Sequence, residues 1–121
     1  MYEERIWGWY KVLDFVKYKK DKEVLTKKIC INAGKNLSYH YHQYRTEVWT
    51  VVKGKGELII DNESSTITAG DVVEISPYIK HSVRAIEELE IIEVQRGTNI
   101  IEEDIKEPIF MWEDILMTIN V

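Results

Sequence analysis

The chain alternates short apolar runs with polar turns. Residues 5–18 carry Ile6, Trp7, Trp9, Tyr10, Val12, Leu13, Phe15, Val16 and Tyr18, and end in the polar loop Lys19-Lys20-Asp21-Lys22. Aromatic and β-branched residues suit a pleated, half-buried surface, so this run predicts strand. Residues 23–31 follow as a second strand, with Glu23, Leu25, Lys27, Ile29 and Ile31 on one face because side chains two apart point the same way. Asn32-Ala33-Gly34 is a turn, and residues 47–52 are a strand that runs into Lys53-Gly54-Lys55-Gly56, read as a tight reversal. Residues 57–61 and 65–68 flank a turn at Asn62-Glu63-Ser64. Ala69-Gly70-Asp71 turns into residues 72–75, and residues 81–86 and 89–95 read as another pair joined through Glu87-Glu88. Many short strands at even spacing predict an all-β sandwich or barrel. After Gly97 the pattern changes: Ile105, Ile109, Met111, Trp112 and Leu116 fit a short helix or an added strand, and Pro108 argues against one uninterrupted helix.

Composition narrows the picture. At 121 residues the chain has the length of one domain, read as residues 1–121 throughout. Its formal net charge is −5 with both signs interleaved, so no basic stripe invites nucleic acid. No apolar run approaches the ~20 residues of a spanning helix, which gives no support to a membrane role. The opening Met1-Tyr2-Glu3-Glu4-Arg5 is too charged for a signal peptide, and the single Cys30 has no partner for an internal disulfide. The expectation is a cytoplasmic protein, with Cys30 a small buried thiol.

The stretch from Gly34 to Gly54 carries the chemistry. His40 and His42 stand two apart and share a strand face, while Glu47 reaches the same point from the next strand after a turn near residues 43–45. The third and last histidine, His81, follows an apolar strand and the turn at Pro77. Three imidazoles and a carboxylate suit one divalent ion of the Zn, Fe, Mn, Ni or Co type, and ligand chemistry does not choose among them. Lys27 lies on the face of Ile29 and Ile31; it either faces inward and needs a partner or snorkels to water. Arg45 either orients the Glu47 carboxylate or grips an anion, or is a solvated turn residue. Lys80 and Arg84 read as surface charge. Trp49 shares parity with Glu47 and walls the cavity; Tyr39 and Tyr41 face away from the histidines and pack. Glu93 and Gln95 share one parity of the last strand and either lie on the outer face, the preferred reading, or face the cavity.

The spacing Gly34, five residues, His40-x-His42, four residues, Glu47, six residues, Gly54 resembles the first motif of the cupins in full. Gly70 and His81 stand in register with the second motif, with Ser76 for its Pro, Tyr78 for its Gly and Ala85 for its Asn. A closer resemblance, over roughly residues 5–105, is to the C-terminal cupin domain of type II mannose-6-phosphate isomerases. It rests on Arg5-Ile6-Trp7-Gly8-Trp9-Tyr10, Leu37-Ser38, Arg45-x-Glu47-x-Trp49, Ile92-Glu93-Val94-Gln95-x-Gly97 and Glu103-Asp104-Ile105. The chain departs from that family in carrying His40 where the family usually has glutamine. It also ends without the family's acidic-Tyr-Gly-Arg segment.

The resemblance implies an all-β, single-domain cupin jelly roll with a short C-terminal extension and a metal inside one open end. Motif 1 spans 34–54 and motif 2 spans 70–85. It implies metal-dependent aldose–ketose isomerisation of a phosphorylated sugar, with metal ligands His40, His42, Glu47 and His81 and catalytic candidates Lys27, Arg45 and Glu93. The family has a lysine at the place of Lys27 and an arginine at that of Arg45. Its aromatic N-terminal segment implies a homodimer. Two other readings stay open: a non-catalytic metal cupin that binds a sugar or small metabolite, and an iron-dependent dioxygenase-type cupin. No nucleotidyltransferase domain is read in the chain, so guanylyl transfer is not expected.

Overall fold

The computed structural model describes residues 2–100 and 104–120; Glu103, part of the closing segment read above, lies outside them. Two antiparallel sheets face each other. In chain order the strands are β1 (Tyr2–Arg5), β2 (Gly8–Lys17), β3 (Glu23–Ile31), β4 (Tyr39–Tyr41), β5 (Arg45–Lys53) and β6 (Lys55–Ile60). They continue with β7 (Glu63–Thr68), β8 (Val72–Ile75), β9 (His81–Ala85), β10 (Leu89–Gly97) and β11 (Lys106–Ile109), and a helix, α1 (Trp112–Ile119), follows. The first sheet has six strands in the order β1-β2-β3-β10-β5-β8, and the second has five, β11-β4-β9-β6-β7. This is the expected all-β jelly roll. The closing region resolves into both alternatives offered for it, a strand and then a helix.

The linkers depart from the expected hairpins. The reversal at Gly54 does not pair β5 with β6; it carries the chain from one sheet to the other. Gly54 has φ +93°, and a Cβ there would stand 2.0 Å from the Glu88 carbonyl oxygen, so only glycine fits this corner. The expected pairing of residues 81–86 with 89–95 is likewise overturned: β9 pairs with β4 and β6, and β10 with β3 and β5. A short linker closes a hairpin only if the next strand stays in the same sheet, and here the chain crosses between layers. A true hairpin joins β6 to β7. Its turn is Asp61-Asn62, both with positive φ (49° and 68°), the form that matches strand twist.

Alternate residues of both sheets point inward and build the core around Ile29, Ile31, Trp49, Val51, Val83, Leu89 and Ile91. A second cluster lies on the outer face of the second sheet, where Trp112 and Ile115 of α1 cover Tyr39 and Ile59. An eight-residue helix is too short to be stable alone, so this packing holds it, helped by Glu113 and Asp114 at its positive end. Tyr39 is tied further by its hydroxyl, which donates to Asn62 Oδ1 (2.7 Å) in the β6–β7 turn. With α1 closing the outside, the space between the sheets stays open at one end, and the site sits there.

Candidate metal centre

Strand register brings the histidines together. His40 on β4 pairs directly with His81 on β9, so their side chains are close cross-strand neighbours. His42 lies two residues on, on the same face as His40. The three ring centroids are 4.7, 4.9 and 5.0 Å apart, and one nitrogen from each falls within 4.8 Å of the others.

Each ring is held by its outer nitrogen. His42 Nδ1 donates to the Asp104 carbonyl (2.6 Å), His81 Nδ1 donates to the Ile79 carbonyl (2.9 Å), and His40 Nδ1 bonds the Ser38 hydroxyl. Because a carbonyl only accepts, His42 and His81 carry their protons on Nδ1, and their Nε2 lone pairs face the centre. Asp104 also caps the β4–β5 turn, its carboxylate accepting from the Gln43 and Tyr44 amides at 2.9 and 3.0 Å. In the second motif, Tyr78 takes the left-handed conformation (φ 68°) that the missing glycine would have supplied, and its amide donates to the His42 carbonyl (2.7 Å).

Glu47 completes the cluster from the opposing sheet. It is 2% exposed, with Oε2 3.0 Å from His42 Nε2 and Oε1 3.7 Å from His81 Nε2. Arg45 Nε donates to Oε2 (2.9 Å) and Trp49 Nε1 donates to Oε1 (3.0 Å). Burial alone would raise the Glu47 carboxyl. The contacts with His42 and His81 and the Arg45 guanidinium instead hold it well below the usual carboxylate range. Burial, reinforced by the neighbouring imidazoles, pushes His40 down to about 2, and burial also lowers His81. The Arg45 guanidinium bridges His42 and Glu47, its Nη2 donating to His42 Nε2 (3.2 Å) while its Nε holds Glu47 Oε2, and the His81 Nε2 lone pair faces Glu47 Oε1 across 3.7 Å. Neutral rings with oriented outer nitrogens and one ionised carboxylate fit a borderline divalent ion. The three histidines, without Glu47, are the group whose nitrogens all lie within 4.8 Å of one another and could hold such an ion.

The cluster opens into a cavity of about 380 Å³, within the range of small-molecule sites. Of the sequence candidates, Lys27, Arg45 and Glu93 all line it with the four proposed ligands; Lys80 and Arg84 do not. Lys27 faces inward, its ammonium 3.7 Å from Glu93 Oε1 and 4.6 Å from the centre of the Tyr10 ring. Glu93 and Gln95 also face inward, at 4% and 1% exposure, against the outer-face expectation. Hydrophobic-in alternation inverts on β10 because the cavity, not the apolar core, lies beneath these two positions. Leu89 and Ile91, buried on the same face of β10, are the sequence signal for it, and the pairing of Gln95 with Glu47 and of Glu93 with Trp49 supplies the rest. Burial, with the negative charge of Glu47, pushes Glu93 up to about 7, and Lys27 opposes the shift. Sequence reasoning assigned no role to Asp104, whose backbone and side chain both hold the site, or to Arg5 and Tyr10, which line the cavity.

Comparison with known proteins agrees with this architecture. The structure of KdgF from Halomonas sp. superposes with TM-score 0.66 at 18% identity, covering 82% of this chain and 89% of that one. That of a putative sugar phosphate isomerase from Acidithiobacillus ferrooxidans gives 0.55 at 26% identity, covering 65% of this chain and 52% of that one. In sequence, the chain is 31% identical over 103 residues to a mannose-1-phosphate guanylyltransferase of Salmonella montevideo, covering 84% of this chain and 21% of that protein. It is 33% identical over 104 residues to the alginate biosynthesis protein AlgA of Pseudomonas putida, covering 84% and 20%. The chain thus spans about a fifth of the length of the curated relatives it matches. Residues 2–108 match the family described as Mannose-6-phosphate isomerase C-terminal, and with its cupin fold and its histidine cluster the chain belongs to that family.

Proposed function

We propose that this chain is a metal-dependent isomerase that interconverts a phosphorylated aldose with its ketose, mannose 6-phosphate and fructose 6-phosphate being the first pair to try. The observation that carries the reading is the ion pair of buried Glu93 with half-buried Lys27, which faces the same cavity as the histidine cluster. His40, His42, His81 and Glu47 would hold one divalent ion, which when bound supplies Lewis-acid polarisation of the substrate's adjacent oxygens. Glu93 takes the proton from the carbon beside the carbonyl and returns it to the former carbonyl carbon, while the hydroxyl proton passes from one of the two adjacent oxygens to the other. A carboxyl held near 7 is matched to that exchange. Lys27 stabilises Glu93 when it is ionised, and Arg45 holds the Glu47 carboxylate in place. Lys27 and Arg5 bring positive charge to the cavity wall for the phosphate. The putative sugar phosphate isomerase among the similar structures supports the same substrate class. The test is solvent-deuterium incorporation at the carbon next to the carbonyl, with each candidate metal restored in turn. Exchange is expected with at least one metal, and its absence with every metal and every common hexose phosphate removes the isomerase reading.

One observation favours a second reading, a non-catalytic metal cupin that binds a sugar. Where the family ends in Tyr-Gly-Arg, α1 packs on the outer face of the second sheet, and none of its described residues lines the cavity. Stabilisation of the fold by a sugar phosphate without deuterium exchange would select this reading.

The assembly proposed is a homodimer through the N-terminal hairpin, where Tyr2, Ile6, Leu13 and Phe15 are exposed. Light scattering at micromolar concentration should give twice the chain mass, and a monomer at high concentration counts against it. No helix among the described residues is long and apolar enough to cross a membrane. The lone, buried Cys30 accords with the proposed residence in the cytoplasm.

A further inference from the structure

The inner face of β10 holds a polar cluster beside the histidines. Glu93 pairs in register with Lys27 on β3 and Trp49 on β5; Gln95 pairs with Leu25 and with Glu47. Gln95 is 1% exposed and lines the cavity. Its amide nitrogen donates to Glu93 Oε1, which fixes the orientation of the amide and leaves Oε1 for another group. Among the described residues, that oxygen is buried without a hydrogen-bond partner. Buried polar atoms are almost always paired, and an amide oxygen pairs only with a donor.

We propose that Gln95 Oε1 accepts a hydrogen bond from a hydroxyl of the bound ligand, and that Gln95 is a specificity-determining residue of the cavity. With it, Glu93 and Lys27 form one wall that reads a polyol: an amide acceptor, a carboxyl and an ammonium donor side by side. This deepens the sugar-phosphate reading, which places the ligand in this cavity, but it concerns the hydroxyls and neither the phosphate nor the proton transfer. Because Gln95 flanks Glu47, the hydroxyl it reads lies on the side of the ligand nearest the histidine cluster. A ligand without a hydroxyl there leaves the oxygen unpaired and is rejected, so the wall selects polyhydroxylated molecules over aromatic or hydrocarbon ones.

The experiment is calorimetric titration of the full chain, purified with its metal, using mannose 6-phosphate, its series of monodeoxy analogues, and unphosphorylated mannitol. One deoxy analogue is expected to bind roughly 10- to 100-fold more weakly than the parent. Gln95→Met, close in shape but without the acceptor, is expected to weaken the parent by a similar factor and to bind that same deoxy analogue no worse than the wild type does. The coupling between one hydroxyl and one side chain is a readout that a merely structural role for Gln95 does not move. The deoxy series on the unsubstituted chain reads the contact even if the variant fails to fold: equal binding of every deoxy analogue overturns the proposal. So does an equal loss across all ligands in Gln95→Met, or a failure of both sugar phosphate and mannitol to bind. Gln95-dependent mannitol binding to which the phosphate adds nothing would leave this wall standing and remove the sugar-phosphate reading. Isomerisation indifferent to Gln95→Met would do the reverse.

Discussion

Two polar clusters share one cavity, and they are built on opposite plans. In the first, His42 and His81 tie their outer nitrogens to main-chain carbonyls and His40 ties its own to Ser38. Those partners belong to the fold, so the rings keep their aim whatever the cavity holds. In the second, Lys27, Glu93 and Gln95 have chiefly one another, and one amide oxygen has no partner among the described residues. The first cluster offers lone pairs from neutral rings around a single carboxylate, an arrangement completed by a cation. The second offers charge and hydrogen-bonding capacity along a wall, an arrangement completed by a solute. On the proposed reading, holding a metal would rest on partners fixed by the fold, mostly main-chain carbonyls, whereas reading a substrate would rest on side chains whose protonation and partners change.

Breaking the first cluster should give the largest effect. The wild-type chain should purify with about one divalent ion, the number a single set of three histidines and a carboxylate holds. His42→Ala should reduce that to near none, because it removes a ligand and leaves Glu47 Oε2 without its closest imidazole. Elemental analysis decides it. Equal metal content in the two proteins sinks the site. Lys27 and Glu93 pair with each other from β3 and β10, apart from the strand that carries His42, so their ion pair should survive the substitution.

The converse substitutions sharpen the contrast. Glu93→Gln and Lys27→Ala should keep the metal and lose turnover, by roughly 10²- to 10⁴-fold for the group that moves the proton. Deuterium exchange and metal content, measured on the same samples, separate the clusters. A variant that loses both together shows that the second cluster supports the first and has no distinct role.

The first cluster was legible in the sequence for a simple physical reason. His40 and His42 are two apart, so any strand through them puts both on one face, and the chain has one further histidine to join them. The 23–31 strand was legible in the same way, whereas the sequence leaves Lys27 either inward or snorkelling to water, and the structure turns it inward beside Glu93. The second cluster was not legible. Parity puts Glu93 and Gln95 on the face of Leu89 and Ile91, but Ile92 and Val94 make the other face equally apolar, so parity alone does not say which is inside. Only the pairing of β10 with β5 reveals that Gln95 stands beside Glu47. The crossings at Gly54 and at residues 87–88 were hidden because a glycine corner looks the same whether the next strand pairs or changes sheet.

A smaller effect is expected at Asp104, which supports the first cluster from outside. Its carboxylate holds the Gln43 and Tyr44 amides and its carbonyl holds His42. Asp104→Ala keeps the carbonyl but frees the turn that positions it. Metal affinity should fall by about 10- to 100-fold, as for other groups that orient a ligand. The fold should lose about 1–3 kcal/mol from the unpaired amides. Metal titration and urea unfolding test the two parts. Full metal affinity with reduced stability would make Asp104 a turn residue only.

The last effect, at most about 1.4 kcal/mol for each pH unit, is a pH dependence whose sign belongs to the second cluster alone. The Glu93 carboxyl is pushed up to about 7, chiefly by burial, from about 4.5 in an unfolded chain. Between those values the folded state keeps a proton that the unfolded state has released. The unfolded state then binds fewer protons, so this group's contribution to stability falls as pH rises. Below about 4.5 both states are protonated and Glu93 costs nothing; above about 7 both are ionised and the cost is complete. The slope is at most about 1.4 kcal/mol per pH unit, a few kcal/mol in all. The first cluster works the other way: His40 and His81 are lowered by burial, so their contribution is lost as pH falls through 6.5. Urea unfolding of metal-free wild type and metal-free Glu93→Gln cancels that common histidine contribution. The variant should gain on the wild type steadily from about pH 4.5 to 7 and hold a constant lead above that. Parallel curves throughout would mean that Glu93 titrates as it does in water, and that the wall opposite the histidines is not a buried acid–base pair.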